Sequence, residues 1–175
     1  MPDGADPRIE SPFLRELHAY WLSRRGGRAF PRRADFEPLS IPSVLPHLIL
    51  IAVERGTSTR FRVRLSGTFV DSVFGRAGTG RYLDESPINV RHPWRLEPYH
   101  AISAEGRIDI ARTRYVTEEG RRFDYERLLL PLATDDERRV EARLGDPVDA
   151  AGAVVGAVGG GEHVQAVVDR TQCQL

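Results

Sequence analysis

Apolar residues recur at helical spacing near the start of the chain. Phe13, Leu14, Leu17, Tyr20 and Trp21 form one stripe, behind Ser11-Pro12 as a helix start and before Gly26-Gly27 as a stop. This predicts a helix over 12–25. Prolines at 31, 38, 42 and 46 then forbid a long helix and favour an extended path with tight turns. Residues 48–54 are a continuous aliphatic run of strand length, and 60–65 alternate arginine with apolar residues, as a half-wet strand does. Gly56-Thr57-Ser58 joins them as a hairpin turn. Phe69, Val70, Val73 and Phe74 share one face of a short helix over 68–74, closed by Gly75. Residues 92–105 read as helical with a break at Pro98, ending at Gly106. Strands follow at 107–116 and 122–132 around Glu118-Glu119-Gly120, and a short closing strand is expected at 138–144.

Neighbouring strands joined by tight turns make an antiparallel sheet. The expectation is therefore an α+β fold: a five-stranded antiparallel sheet, short helices on one face, and an N-terminal helix. It divides into a helix and Arg/Pro-rich leader at 1–46, a core domain at 47–145, and a flexible C-terminal tail at 146–175. In the tail aromatics vanish and Gly156–Gly161 is glycine-rich.

Composition narrows the function classes. The 175 residues carry 25 basic against 25 acidic side chains, a formal net charge of zero. This argues against nucleic-acid binding by bulk electrostatics, since such domains usually run basic. All the basic residues are arginine, which removes lysine-based chemistry such as Schiff bases and P-loop phosphate binding. The sole cysteine, Cys173, excludes an intrachain disulfide and a multi-cysteine zinc cluster. No apolar run reaches the roughly 18 residues of a membrane span, and the polar N-terminus lacks a signal-peptide stretch. A cytoplasmic protein without membrane contact is expected.

Three stretches carry a family likeness. The first is Gly27-Arg28-Ala29-Phe30-Pro31-Arg32-Arg33-Ala34-Asp35, with Pro38, Ile41-Pro42 and Leu45-Pro46-His47 after it. The second is Arg64-Leu65-Ser66-Gly67-Thr68, followed by Phe74-Gly75 and Thr79-Gly80. The third is Leu130-Pro131-Leu132. Together, over about 12–145, they resemble the stand-alone PAS-domain family common in alphaproteobacteria. The resemblance implies a PAS-type sensory or adaptor module in signal transduction that binds a small molecule between helices and sheet, or a protein partner. It supplies no catalytic motif, so a non-enzymatic role is expected.

Several residue groups are candidates for a site. Phe69, Phe74, Trp94, Tyr99 and Ile102 either line a ligand cavity or fill it. Arg24, Arg25, Arg28, Arg32 and Arg33 precede Asp35, and so form either an anion or nucleotide site or a structural clamp tying the first helix to the core. The doubled RxxxR spacing is similar to that of PilZ-type cyclic-di-GMP receptors, but 84–89 lacks their glycine and contains a proline. His47, His92 and His100 are candidate haem or metal ligands, but they are scattered along the chain, so ordinary core or surface roles are expected. Cys173 lies outside the domain, so flavin-adduct chemistry is excluded. The enzymatic alternative is a small α+β cone of isomerase or dehydratase type, using Asp109, Asp124, Tyr115 and Tyr125. Finally, the apolar stripe of the first helix suggests a homodimer, unless the stripe packs on its own sheet.

Overall fold

A strand that is apolar at every position needs cover on both faces, and 48–53 and 128–130 are two such runs. The computed structural model describes residues 6–116, 120, 122–133 and 153–159. In it the runs lie in β1 (Leu48–Arg55) and β4 (Arg122–Leu132). The first pairs antiparallel with β2 (Thr59–Ser66) across the expected turn, with a register irregularity between Leu50 and Ile51. The second pairs antiparallel with β3 (Asp109–Val116). The fold is thus α+β, with antiparallel strands and helices.

A further strand, β5 (Ala153–Gly159), lies antiparallel between β1 and β4, giving the order β2-β1-β5-β4-β3. The expected closing strand at 138–144 lies outside the described residues. The boundary expected at 145 therefore does not close the sheet, because the central strand comes from the segment set aside as a tail. Its glycines suggested a flexible tail, since glycine weakens strands. A central strand, however, is held by ladders on both edges, and here the ladders run over Leu48–Ala52 and Glu126–Leu132.

Each face of the sheet has its own cover. On one face, α1 (Pro12–Arg24) and the proline-rich leader bury Leu14, Leu17, Trp21, Phe36 and Val44 against Leu48, Leu50, Leu128, Leu130 and Leu132. On the other lie α2 (Thr68–Phe74), α3 (Pro87–Arg91) and α4 (Glu97–Glu105). There Ile102 of α4 packs on Ile51, Val53, Phe61 and Leu129. The short helices thus share one face, as expected, and the N-terminal helix covers the other. The expected interruption near Pro98 appears as a 3-10 turn over Pro93–Leu96 followed by α4, with Pro98 in its first turn, where a proline costs no hydrogen bond.

This arrangement takes away the ground on which a dimer was expected. Leu14, Leu17 and Trp21 are all nearly inaccessible within one chain. Each such burial contributes about 1.5–3 kcal/mol, so the stripe is spent on the chain's own sheet.

Polar contacts fix α1 in place. The Trp21 indole N–H donates to the carbonyl of Pro131 at 2.8 Å. Glu126, itself buried, accepts the backbone N–H groups of Glu10 (3.0 Å) and Ser11 (2.8 Å). Ser11 occupies the N-cap position as expected, yet its hydroxyl is buried and makes no hydrogen bond. A strand carboxylate thus holds the helix entry. His18, also buried, accepts the Asp6 N–H at Nδ1 (3.3 Å). Burial holds its imidazole below the ordinary value, against the opposing pull of Asp6.

Two outcomes follow. Glu126→Ala leaves buried donors without an acceptor and should cost about 1–3 kcal/mol in chemical denaturation, whereas Glu126→Gln keeps one acceptor and should cost less. Folded His18 takes up a proton less readily than unfolded His18, whose pKa is about 6.5. Its contribution to stability is therefore full above that pH and declines as pH falls below it. Melting temperatures at pH 7.5 and 5.5 should diverge less in His18→Gln than in the parent.

Candidate functional site

The helical cover is held away from the sheet by a fixed loop after β2. A β-carbon on Gly67 would lie 2.2 Å from the Pro46 carbonyl oxygen and 2.3 Å from that of Leu45, so the chain passes there only as glycine. The Ser66 hydroxyl donates to Asp71 Oδ1 at 2.6 Å, and the Gly78 N–H donates to the same oxygen at 3.0 Å. Gly75 closes α2 in the left-handed region, at φ +71°. Residues 78–81 then return to β2 through Gly80 N–H to Val63 O (2.8 Å) and Val63 N–H to Arg81 O (2.9 Å).

The next turn is pinned by Arg60, which donates to Asp84 at 2.8 and 2.9 Å and to Glu85 at 2.8 Å, and lies 3.8 Å over the Tyr82 ring. Those Arg60 hydrogen bonds hold the Asp84 carboxyl below its usual range. The Tyr82 hydroxyl donates to Glu54 at 2.8 Å.

Between this cover and the sheet lies a cavity of about 100 Å³. Ile49 and Val63 line it from the sheet, Val70 and Phe74 from α2, Ile88 from α3, and Tyr99 from α4. β4 contributes Tyr125 and Arg127. Arg127 is largely buried, its side chain 13% exposed, and donates to Asp109 Oδ2 from Nε (3.3 Å) and Nη2 (2.8 Å). The Tyr125 hydroxyl accepts a long hydrogen bond from Arg95 at 3.4 Å. Burial pushes the Tyr99 phenol up.

The structure divides the residues expected to line a cavity. Phe74 and Tyr99 line it. Phe69 lies outside, its ring 4.5 Å from that of His47. Ile102, 1% exposed, belongs to the solid core beside it, and Trp94 points to solvent at 60% exposure. Sequence reasoning missed Arg76, Arg81, Arg95 and Arg127 in the lining. The two-residue step of β4 places Tyr125, Arg127 and Leu129 on one side, and that signal was available.

The leader arginines turn inward to their own segment. Arg28 and Arg32 both reach Asp35, at 2.5 and 3.1 Å, and Arg33 donates to the Phe36 carbonyl at 2.9 Å. Arg24 and Arg25 lie over the rings of Tyr20 and Trp21. The leader also bonds the end of β4, Arg33 N–H to Ala133 O at 2.9 Å and Ala133 N–H to Pro31 O at 2.8 Å. The Arg32 hydrogen bonds lower the Asp35 pKa.

The other candidate groups are scattered. His47 stacks on Phe13, and His100 meets Phe61 edge-on. Among the described residues, no group of three or more histidine, cysteine or acidic side chains has metal-binding spacing. No described helix is long and apolar enough to cross a membrane. Asp124 pairs with Arg114 on the exposed edge and Asp109 with Arg127, so neither stands free beside a tyrosine as the cone-enzyme alternative requires.

Residues 9–145 match the sequence model of the family described as PAS domain. No curated protein matches the chain. Similar solved structures include the crystal structure of a LOV protein from Rhodobacter sphaeroides, at 14% identity and TM-score 0.42, covering 78% of this chain and 71% of that one. A single-site variant of RsLOV is 16% identical at TM-score 0.39, covering 69% and 65%. A d2 variant of RsLOV is 17% identical at TM-score 0.41, covering 75% and 66%. The chain thus spans slightly under two thirds of the length of both variants.

The clamp has a simple test. Its side chains are between a quarter and a half exposed, and ion pairs that wet contribute little. Asp35→Ala should lower the melting temperature only slightly and leave affinity for an added anion unchanged. A changed affinity for an added anion would instead make the leader a binding site.

Proposed function

This chain belongs to the PAS-domain family, and we propose that it is a non-enzymatic sensory or adaptor module that takes a small molecule into the cavity between its helices and sheet. The observation that carries this reading is the cavity itself, apolar along Ile49, Val63, Val70, Phe74 and Ile88 and polar at Tyr99, Tyr125 and Arg127. Small-molecule sites combine an apolar wall with a few placed polar groups in this way. The volume, about 100 Å³, is below the roughly 300–1,000 Å³ of drug-sized sites. It is also below the roughly 150 Å³ of an apolar cavity that takes benzene, so a single ring enters only as the short helices of the cover give way.

The cover is well suited to report occupancy. Helices α2 and α3 span seven and five residues, too short to be stable without packing beneath them. Val90 and Trp94, on and just after α3, stand 63% and 60% exposed, where a partner protein can read a shift of the cover. The reading assigns no catalytic residue: Asp71, the acid in the lining, is held by Ser66 and Gly78.

Mass spectrometry of the purified, denatured protein should find a co-purified small molecule. Ile88→Trp, which fills the cavity from α3, should abolish its retention while the protein stays folded by circular dichroism. A folded Ile88→Trp protein that keeps the molecule would place binding elsewhere. A parent protein that carries no molecule, and whose melting temperature ignores every single-ring compound tried, ends the reading.

A further inference from the structure

The charges around the cavity are lopsided. Arg76, Arg81, Arg95 and Arg127 line it, against Asp71 alone. Asp71 spends Oδ1 on Ser66 and Gly78. Of the acids nearby, Asp84 is engaged with Arg60, outside the lining, and Asp109 pairs with Arg127 from the lining itself. Neither Arg76 nor Arg81 has a side-chain hydrogen bond or ion pair among the described residues.

The inner wall holds donors in reserve as well. A guanidinium carries five N–H groups, and Arg127 commits only Nε and Nη2, both to one oxygen of Asp109. Its Nη1 has no acceptor among the described residues, and neither has the Tyr99 hydroxyl, although the Arg127 guanidinium lies 5.9 Å from the Tyr99 ring centre. Arg127 therefore keeps a donor at the cavity wall that an oxygen of an entering molecule can accept.

Resting on the cavity reading above, we infer that the ligand is a small organic anion, a carboxylate on a single ring or short apolar body. Its apolar part lies along Val63, Val70 and Ile88, and its oxygens meet the inner Arg127 and Tyr99. Arg76 and Arg81 attract and retain the negative charge at the mouth. Guanidinium–carboxylate hydrogen bonds are about twice as strong as neutral ones, and the low-dielectric wall strengthens them. A neutral ligand of the same shape forgoes them.

Calorimetric titration of the full chain with benzoate and with benzamide tests this, since the two share ring and size and differ in charge. Benzoate should bind at least about tenfold more tightly, a charge-assisted bond's worth, and the preference should shrink at high salt. The double substitution Arg76→Gln with Arg81→Gln should reduce benzoate affinity several-fold, leaving benzamide affinity and melting temperature unchanged. Equal binding of the two probes, or an uncharged or cationic co-purified molecule, overturns the anion inference and leaves the cavity reading standing. No binding of either probe, together with no co-purified molecule, overturns both.

Discussion

The sheet has to be covered twice. β1 and β4 carry apolar residues at successive positions, so each sends alternate side chains into two separate cores. A solvated back face would expose Leu48, Leu50, Leu128, Leu130 and Leu132 together, a patch far larger than a stable monomer tolerates. Helix α1 and the leader are therefore integral to the fold. Their attachments follow from that need: Trp21 on the Pro131 carbonyl, Glu126 at the helix entry, and the leader bridged to Ala133.

Two-sided burial also ties the back of the molecule to the site. Along β4, Glu126, Leu128 and Leu130 face α1, while Tyr125, Arg127 and Leu129 face the cavity and the core beside it. A one-residue slip of this strand would exchange the two sets, placing a guanidinium under α1 and leucines in the cavity wall. The register against β3 and β5 is thus a condition of the site as much as of the core. β1 works in the same way, Leu48 and Leu50 facing α1 and Ile51 and Val53 facing α4, with its irregularity at Leu50/Ile51.

Much of this was legible because periodicity reports local structure. The stripe of α1, the alternation of β2 and the length of β4 all appear where the pattern places them. What the pattern lacks is a partner. The α1 stripe reads the same whether it meets a second chain or its own sheet, and the choice depends on the apolar backs of β1 and β4, far away in sequence. β5 was hidden for a related reason: a central strand takes its stability from both neighbours, so it tolerates glycines that would mark an isolated segment as a flexible tail. Trp94 misled because aromaticity predicts burial only on average, and its short turn lies on the outer side of the cover.

The arginines were the least legible feature, and the reason is chemical. With no lysine in the chain, structural clamps and cavity lining draw their positive charge from the same side chain. Clustering in sequence pointed to the leader, where five arginines fall within ten residues. Geometry sorts them by a different criterion, namely whether the fork of donors is already spent. Arg28, Arg32 and Arg33 are spent on Asp35 and a carbonyl, and Arg60 on Asp84 and Glu85. Arg76, Arg81 and Arg127 are scattered in sequence, yet they line one cavity with donors left over. Density of charge along the sequence therefore does not tell a spent guanidinium from an unspent one; only the acceptors that the fold brings to it do.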